Sequence, residues 1–147
     1  MTVEPTVELE FTIQARPEIV FAFFVDPLKY RRWKGEDAEL DPRPGGIYRV
    51  LMTSRDVVRG EYVAVEPPRR VVFTWGFEGN AGIPPGSTTV EVTFEPGATP
   101  DTTLVRLKHH GLPDESARES HAMGWRHLLE RLVIAAAGGD PGPDTGP

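Results

Sequence analysis

The amino-acid sequence predicts a single α+β domain, in which a curved antiparallel sheet is closed by one long C-terminal helix over a mainly apolar cavity. Three observations support this fold class. The middle of the chain is a succession of strand-like segments separated by Gly-rich and Pro-rich turns. The last long segment instead has apolar side chains at three- and four-residue spacing. The chain has 147 residues, enough for one hydrophobic core and too few for two.

The first predicted elements are a strand and two short helices. Val7 to Ile13 alternates apolar with polar side chains, the period-two pattern of a strand with one buried face. Pro17 suits the first turn of a helix, and the apolar run that follows ends at Asp26-Pro27. We expect a second short helix from Leu28 to Trp33, because these two side chains fall on one side of it.

Five further strands follow one another. The stretch from Pro42 to Gly46 has turn chemistry, and the segments after it are rich in branched and aromatic residues. Successive strands joined by short turns pair antiparallel, so these segments form a meander whose one face needs a cover. The predicted strands are Ile47 to Met52, Val57 to Val65, Arg70 to Phe77, Thr88 to Glu95 and Thr102 to His109.

The cover is a helix from Glu115 to Ala137, which has one apolar stripe and begins after Asp114, a good capping residue. Gly124 lies inside this helix, where glycine costs about 1 kcal/mol relative to alanine. We expect close packing against a strand or Trp33 to compensate for it. Residues 1–137 are predicted to be the single domain. Residues 138–147 have no apolar side chain except proline, so they are predicted to form a disordered Gly/Pro-rich tail.

The composition excludes several classes of function. The 16 Lys and Arg against 22 Asp and Glu give a formal charge of −6, which disfavours binding to nucleic acid or anionic lipid. The absence of cysteine excludes disulfides, thiolate nucleophiles and Cys-based metal sites. No segment approaches the roughly 20 apolar residues that span a bilayer. We therefore expect a cytoplasmic protein with no nucleic-acid partner, no membrane insertion, no metal and no cofactor.

Short motifs occur in a characteristic order between Val7 and Leu132. They are Asp26-Pro27, Trp33, Arg43-Pro44-Gly45-Gly46, Gly60-Glu61-Tyr62, the stretch from Pro67 to Trp75, His109, Gly111-Leu112-Pro113 and the stretch from His121 to Trp125. Together they resemble the bacterial SRPBCC superfamily of START and Bet v 1-like proteins. More narrowly, they resemble its branch homologous to the C-terminal domain of the activator of the heat-shock-protein-90 ATPase. The resemblance implies a helix-grip fold with about seven strands, two small helices and a ligand-sized cavity.

The predicted cavity residues follow from strand alternation and helix spacing. If Val105 and Leu107 face the long helix, then His109 faces it too. His121 and Trp125 are four residues apart and therefore lie on the same face of that helix. Aromatic residues of the other strands extend the wall, and two more close its rim. The predicted ligand-binding set is Trp33, Tyr48, Phe73, Trp75, Phe94, His109, His121 and Trp125.

The leading functional hypothesis is a module that binds a small hydrophobic or aromatic molecule in this cavity. No complete catalytic motif is present, and no catalytic residue is assigned. One alternative is a cyclase-like or dehydratase-like enzyme that uses His109 or His121 for proton transfer. Another is a chaperone-accessory protein that contacts a protein partner through its surface. Each histidine also has a structural interpretation, as a hydrogen-bonded core residue. The oligomeric state stays open.

Overall fold

The computed structural model describes residues 6–52, 54–144 and 146. In this part of the chain, seven strands and three helices confirm the α+β fold class predicted from the sequence. Most of the predicted boundaries agree with the structure within two residues. The elements are β1 (Val7–Ile13), α1 (Pro17–Val25), α2 (Pro27–Tyr30), β2 (Asp37–Leu40), β3 (Ile47–Leu51), β4 (Val57–Glu66), β5 (Arg70–Trp75), β6 (Thr88–Pro96), β7 (Thr103–His110) and α3 (Glu115–Ala136).

The strands form one antiparallel sheet in the order β1-β7-β6-β5-β4-β3-β2. The first strand pairs with the last, so that Val7 lies opposite His109 and Ile13 lies opposite Thr103. The other neighbours are consecutive along the chain and pair antiparallel. The pairing of β4 with β5 shifts between Tyr62 and Ala64, and such irregularities increase the local bend and twist of a sheet.

The two short helices each begin with a proline. Pro17 starts α1, and Pro27 starts α2 directly after Asp26, whose carboxylate accepts a hydrogen bond from the Leu28 N–H at 3.0 Å. Helix α2 ends at Tyr30, earlier than the predicted Trp33, because the chain continues as a turn. The strand-by-strand prediction missed β2, whose four residues are too few for a periodic signal.

Helix α3 packs its apolar side against the sheet. Its start is capped as predicted: the Asp114 carboxylate accepts a hydrogen bond from the Ala117 N–H at 2.8 Å. Its C-terminal half is the more deeply buried part. The buried residues of the helix are Trp125, Leu128, Leu129, Leu132, Ala135 and Ala136.

Aromatic side chains fill most of the space between α3 and the sheet. Tyr48 stacks on Phe73 with ring centroids 4.2 Å apart, and Phe24 packs on Trp33 at 5.0 Å. All four side chains are fully buried. Such contacts between buried rings are typical of a well-packed protein interior. A pocket lies at the side of this core.

The C-terminal residues that the structure describes lie against α3. The Arg131 guanidinium donates hydrogen bonds to the carbonyls of Trp33 at 3.2 Å and Gly142 at 2.9 Å. The Nε2 atom of His127 lies 2.6 Å from the Asp144 carboxylate. The disorder of residues 138–147 stays a prediction, and these contacts provide its test.

Deleting residues 138–147 removes the partners of Arg131 and His127 in this segment. We expect the thermal midpoint to fall by about 2–4 °C, the shift that roughly 1 kcal/mol produces in a domain of this size. Differential scanning calorimetry of the full-length and shortened chains measures the change. An unchanged midpoint would support the disorder that the composition of the tail predicts.

Candidate functional site

A pocket of about 310 Å³ opens between α3, the end of β5 and the turn that joins β3 to β4. Trp75 and Phe77 line it from the sheet side, and Gly124 and Trp125 line it from the helix. Asp56 lies in the turn at its edge. The volume is at the small end of the range of small-molecule sites, about 300–1,000 Å³, and the aromatic wall is typical of them. This pocket is the candidate functional site.

Three of the eight predicted cavity residues line this pocket: Trp75, His121 and Trp125. The other five are buried and do not line it. Among them, the Trp33 indole donates a hydrogen bond to the carbonyl of Phe23 at 2.9 Å. The interior five are Trp33, Tyr48, Phe73, Phe94 and His109.

Phe94 lies away from the pocket, against α1. Its ring centroid is 5.4 Å from that of Phe21 and 5.3 Å from that of Phe24. Alternation predicts that β6 forms part of the cavity wall. In the structure, Phe94 near the C-terminal end of β6 packs against helix α1. Ligand contact by Phe94 or by the other interior residues stays a prediction.

Each of two histidines accepts a hydrogen bond from a tryptophan. The Trp125 indole donates to Nδ1 of His109 at 3.0 Å, and the Trp75 indole donates to Nε2 of His121 at 3.3 Å. An indole nitrogen is only a donor, so each imidazole nitrogen that faces it must carry a lone pair. The two pairs come from β5, β7 and α3, and they tie the sheet to the helix.

The second nitrogen of each ring must then carry the proton. Nε2 of His109 lies 2.8 Å from the Thr88 hydroxyl, which itself donates to the carbonyl of Trp75 and therefore accepts from the histidine. Nδ1 of His121 lies 2.8 Å from the Ala117 carbonyl one turn earlier in α3 and donates to it. Both tautomers are thus set by their partners, and both rings are neutral.

Protonation of either ring would place an imidazole N–H against an indole N–H. Burial lowers the pKa of His109 from 6.5 to about 2. Burial also lowers the pKa of His121, although the hydrogen bond to Ala117 opposes the shift. Because the indoles occupy the lone pairs that a general base would use, this geometry favours the structural interpretation of both histidines over the enzymatic one.

A buried lysine that the sequence analysis did not select lies behind the pocket wall. Lys34 is only 1% exposed. Its Nζ atom is 2.8 Å from the Tyr30 hydroxyl and 2.9 Å from the Tyr48 hydroxyl. The two hydroxyls are also hydrogen-bonded to each other. Nζ lies 4.1 Å and 4.3 Å from the ring centroids of Trp75 and Trp125. In the described part of the chain, no carboxylate forms an ion pair with this amine.

The three polar groups close a ring of hydrogen bonds only if the amine is neutral. The contacts place Nζ as a donor to both hydroxyls and one hydroxyl as a donor to the other. A neutral Nζ can instead accept the remaining hydroxyl proton through its lone pair, which closes the ring. An ammonium has no lone pair and would leave one hydroxyl without an acceptor in this ring. Burial lowers the pKa of Lys34 well below 10.5 and raises the pKa values of Tyr30 and Tyr48 well above 10, in agreement with three neutral groups.

One sequence signal for this lysine was available. Tyr30 and Lys34 are four residues apart, the spacing that places two side chains of a helical segment on one side. The sequence analysis did not select Lys34 because it follows the basic residues Lys29, Arg31 and Arg32, and a run of basic side chains is normally solvated. Tyr48 comes from β3, and its approach depends on the fold.

Gly124 contributes an opening to the pocket. The prediction that it packs closely against a strand or Trp33 is wrong, because a Cβ atom at this position would have no heavy atom within 4 Å beyond the local helix backbone. The residue lines the pocket, so its missing side chain leaves space there.

The two remaining histidines lie outside the pocket. Nδ1 of His110 is 3.3 Å from the Thr6 hydroxyl, and His127 pairs with Asp144. No group of three or more His, Asp or Glu side chains among the described residues could hold a metal ion. In the same part of the chain, no helix is long and apolar enough to cross a membrane.

Comparisons with known proteins agree with this fold. A family model described as activator of Hsp90 ATPase homolog 1-like protein matches residues 14–137. An AHSA1-like protein of Rhizobium etli is 41% identical, with a TM-score of 0.75 over 96% of this chain and 87% of that chain. CalU16 from Micromonospora echinospora is 25% identical, with a TM-score of 0.75 over 94% of this chain and 77% of that one.

More distant relatives extend the comparison beyond bacteria. An HSP90 activator from Plasmodium falciparum is 23% identical, with a TM-score of 0.72 over 88% of this chain and 94% of its own, a likeness of fold alone. A curated protein of Schizosaccharomyces pombe is 25% identical over 103 residues, 70% of this chain. The matched segment spans 29% of the length of that relative.

Proposed function

The chain belongs to the family of activator of Hsp90 ATPase homolog 1-like proteins, and on that basis we propose that its pocket binds a small hydrophobic or aromatic molecule. Proteins of this fold family commonly bind ligands. A fold hosts many functions, however, so the proposal depends on the pocket itself. A cytoplasmic location is part of the proposal.

The observation that carries the proposal is Gly124 in the wall of the pocket. A glycine inside a helix destabilises it by about 1 kcal/mol relative to alanine. Gly124 has no left-handed backbone conformation that would require glycine, and no close neighbour beyond the helix requires it either. What its missing side chain does provide is the opening beside Trp125. The helix therefore gives up some stability at a position where a larger side chain would enter the pocket.

The hydrogen bonds of the indoles support the proposal because they hold the pocket wall in place without a ligand. Trp75 is tied to His121 across the sheet-helix boundary, and Trp125 is tied to His109. Side chains locked by such supporting contacts need little reordering when a ligand binds. The histidines thus act as positioning residues in this proposal.

Substitution of Gly124 tests the proposal directly. Gly124→Ala should raise the free energy of unfolding by up to about 1 kcal/mol, because the helix gains propensity and nothing clashes. Gly124→Leu should leave the protein folded but fill the pocket, and we expect it to weaken the binding of the neutral dye Nile red at least about tenfold. Fluorescence titration measures the binding, and urea unfolding measures the stability.

The matched control is Arg126→Leu, an exposed position on the same turn of α3. It adds the same side chain outside the pocket and should leave dye binding unchanged. Equal binding by the wild type and Gly124→Leu would place the dye elsewhere and contradict the proposal.

A protein partner is the second candidate, because the family includes Hsp90 activators. A groove of about 570 Å³, lined by Pro68, Phe94 and Pro96 among others, lies beside the turn that joins β4 to β5, at the opposite end of β5 from the pocket. Stimulation of an Hsp90 ATPase by the wild type and Gly124→Leu alike would favour this candidate and a surface site. No stimulation by either would contradict this candidate.

A further inference from the structure

We propose that the ligand of this pocket is an organic cation. Its apolar part would lie against the aromatic wall around Trp75 and Trp125, and its protonated amine would lie at the carboxylate of Asp56. This inference rests on the proposed function and names the chemical class of the ligand. Three features of the pocket carry it: the aromatic wall, the engaged hydrogen-bond donors and the carboxylate at the edge.

The aromatic wall suits a positive charge. Three rings line the pocket, with centroids 5.0 Å apart for Trp75 and Trp125 and 5.8 Å apart for Trp75 and Phe77. The faces of aromatic rings carry negative electrostatic potential, and indole attracts cations most strongly. A ligand that combines an apolar surface with an ammonium therefore gains from both properties of the wall.

The N–H donors of the wall are engaged inside the protein. The indole N–H of Trp75 is used by His121, and that of Trp125 is used by His109. The remaining N–H of His121 donates to the Ala117 carbonyl. An anionic ligand needs donors, and these three are already committed. The aromatic and histidine side chains of the wall therefore have no N–H group left to donate to a carboxylate, sulfonate or phosphate.

Asp56 supplies the negative charge at the edge of the pocket. Its carboxylate accepts a hydrogen bond from the Ser54 hydroxyl at 3.0 Å. Among the residues that the structure describes, no Lys, Arg or His forms an ion pair with it, and the adjacent Arg55 instead pairs with Glu36 at 3.3 Å. Carboxylate oxygens are acceptors only, so the available lone pairs of Asp56 favour a ligand that donates N–H groups.

The amine behind the wall is compatible with a bound cation. The Nζ atom of Lys34 lies over the indoles of Trp75 and Trp125. A positive charge on Nζ would repel a cationic ligand on the other side of these rings. Its hydrogen-bonded ring with Tyr30 and Tyr48 closes with a neutral amine. The site therefore presents one carboxylate and no opposing cation in the described residues that line it.

Three probes that share one ring system test the inference. They are 2-naphthylmethylamine, 2-naphthylmethanol and 2-naphthoate, which are cationic, neutral and anionic at pH 7. Isothermal titration calorimetry on the full chain gives their dissociation constants. We expect the amine to bind most tightly and the carboxylate least, with at least about a tenfold difference between them.

Asp56→Asn removes the charge and keeps the size of the side chain. We expect it to weaken binding of the amine about fivefold to tenfold and to leave binding of the alcohol within about twofold. Glu130→Gln is the matched control, because it neutralises an exposed carboxylate of α3 outside the pocket, and it should change neither. Gly124→Leu should also weaken binding of the amine. That result would locate the bound amine in this pocket.

The outcomes separate this inference from the proposed function. If none of the three probes binds folded protein, the ligand pocket itself is refuted. If the alcohol binds as tightly as the amine, or the carboxylate binds best, the pocket stands and the preference for cations is refuted. If Asp56→Asn lowers the affinity for the amine and for the alcohol equally, the role of the carboxylate is refuted, because the substitution would then act through the shape of the pocket.

Discussion

Replacing Lys34 by methionine should stabilise the protein at neutral pH and abolish a rise of stability with pH. The lysine is protonated in the unfolded chain below pH 10.5, whereas burial lowers its pKa in the folded protein. The unfolded state therefore binds one more proton between the lowered folded pKa and 10.5. Within that window the free energy of unfolding of the wild type rises with pH, by up to about 1.4 kcal/mol per pH unit.

The measurement is urea unfolding at pH 7, 8 and 9. For the wild type we expect a total increase of up to roughly 3 kcal/mol across this range, and for Lys34→Met an almost flat profile. Methionine fills a similar volume and carries no charge, so the largest gain over the wild type is expected at pH 7. Tyr30 and Tyr48 do not interfere, because an unfolded tyrosine begins to titrate only near pH 10.

The matched control is Lys108→Met, which removes a lysine from an exposed position of β7. It should keep the slope of the wild type, because it removes an exposed side chain and leaves the buried amine of Lys34 in place. The same slope in Lys34→Met and the wild type would show that the buried amine is charged in the folded protein and would contradict the hydrogen-bonded ring described above.

Truncation of Trp125 to alanine should be the most destabilising single substitution at the pocket. Trp125 is 2% exposed, and its indole N–H is the hydrogen-bond partner of Nδ1 of His109. Loss of a buried indole typically costs about 3–5 kcal/mol. The substitution also leaves the His109 acceptor without a partner and uncovers one side of Lys34, which adds to the loss.

Trp125→Phe separates the two contributions. It keeps most of the packing but removes the N–H, so we expect it to cost about 1–3 kcal/mol, the range for a buried acceptor left unsatisfied. Both values come from urea unfolding at a single pH. A loss under about 0.5 kcal/mol for Trp125→Ala would contradict the burial of this side chain.

Local sequence pattern accounts for most of the fold. The alternation in Val7–Ile13 and in the strands of the meander gave their positions within a few residues, because burial of one face imposes a period of two. The apolar stripe predicted helix α3, because burial of one side of a helix imposes a period of 3.6 residues, and the Asp114 cap predicted where it starts. Strand β2 escaped the pattern because four residues, two of them acidic, are too few to show a period.

The candidate site was predictable only in part. The four-residue spacing of His121 and Trp125 correctly placed them on one side of α3, and strand alternation correctly turned His109 inward. The rings of His109 and His121 lie 5.1 Å apart in the structure. Alternation says which side a residue faces but not how far the neighbouring elements reach. Tyr48 and Phe73 face inward as predicted, but neighbouring side chains cover them, so they are buried and do not line the pocket.

The sequence by itself determined the fold class, the order of the elements and the inward direction of the main aromatic and histidine side chains, because these depend on periodicities within a single element. Only the tertiary structure decided that Lys34 is buried beside two tyrosine hydroxyls, which tautomer each histidine adopts and that Gly124 borders open space. Each of these depends on atoms brought together from β3, β5, β7 and α3. Hydrogen bonds and empty volume form between elements distant in the chain, and no local pattern encodes their distances.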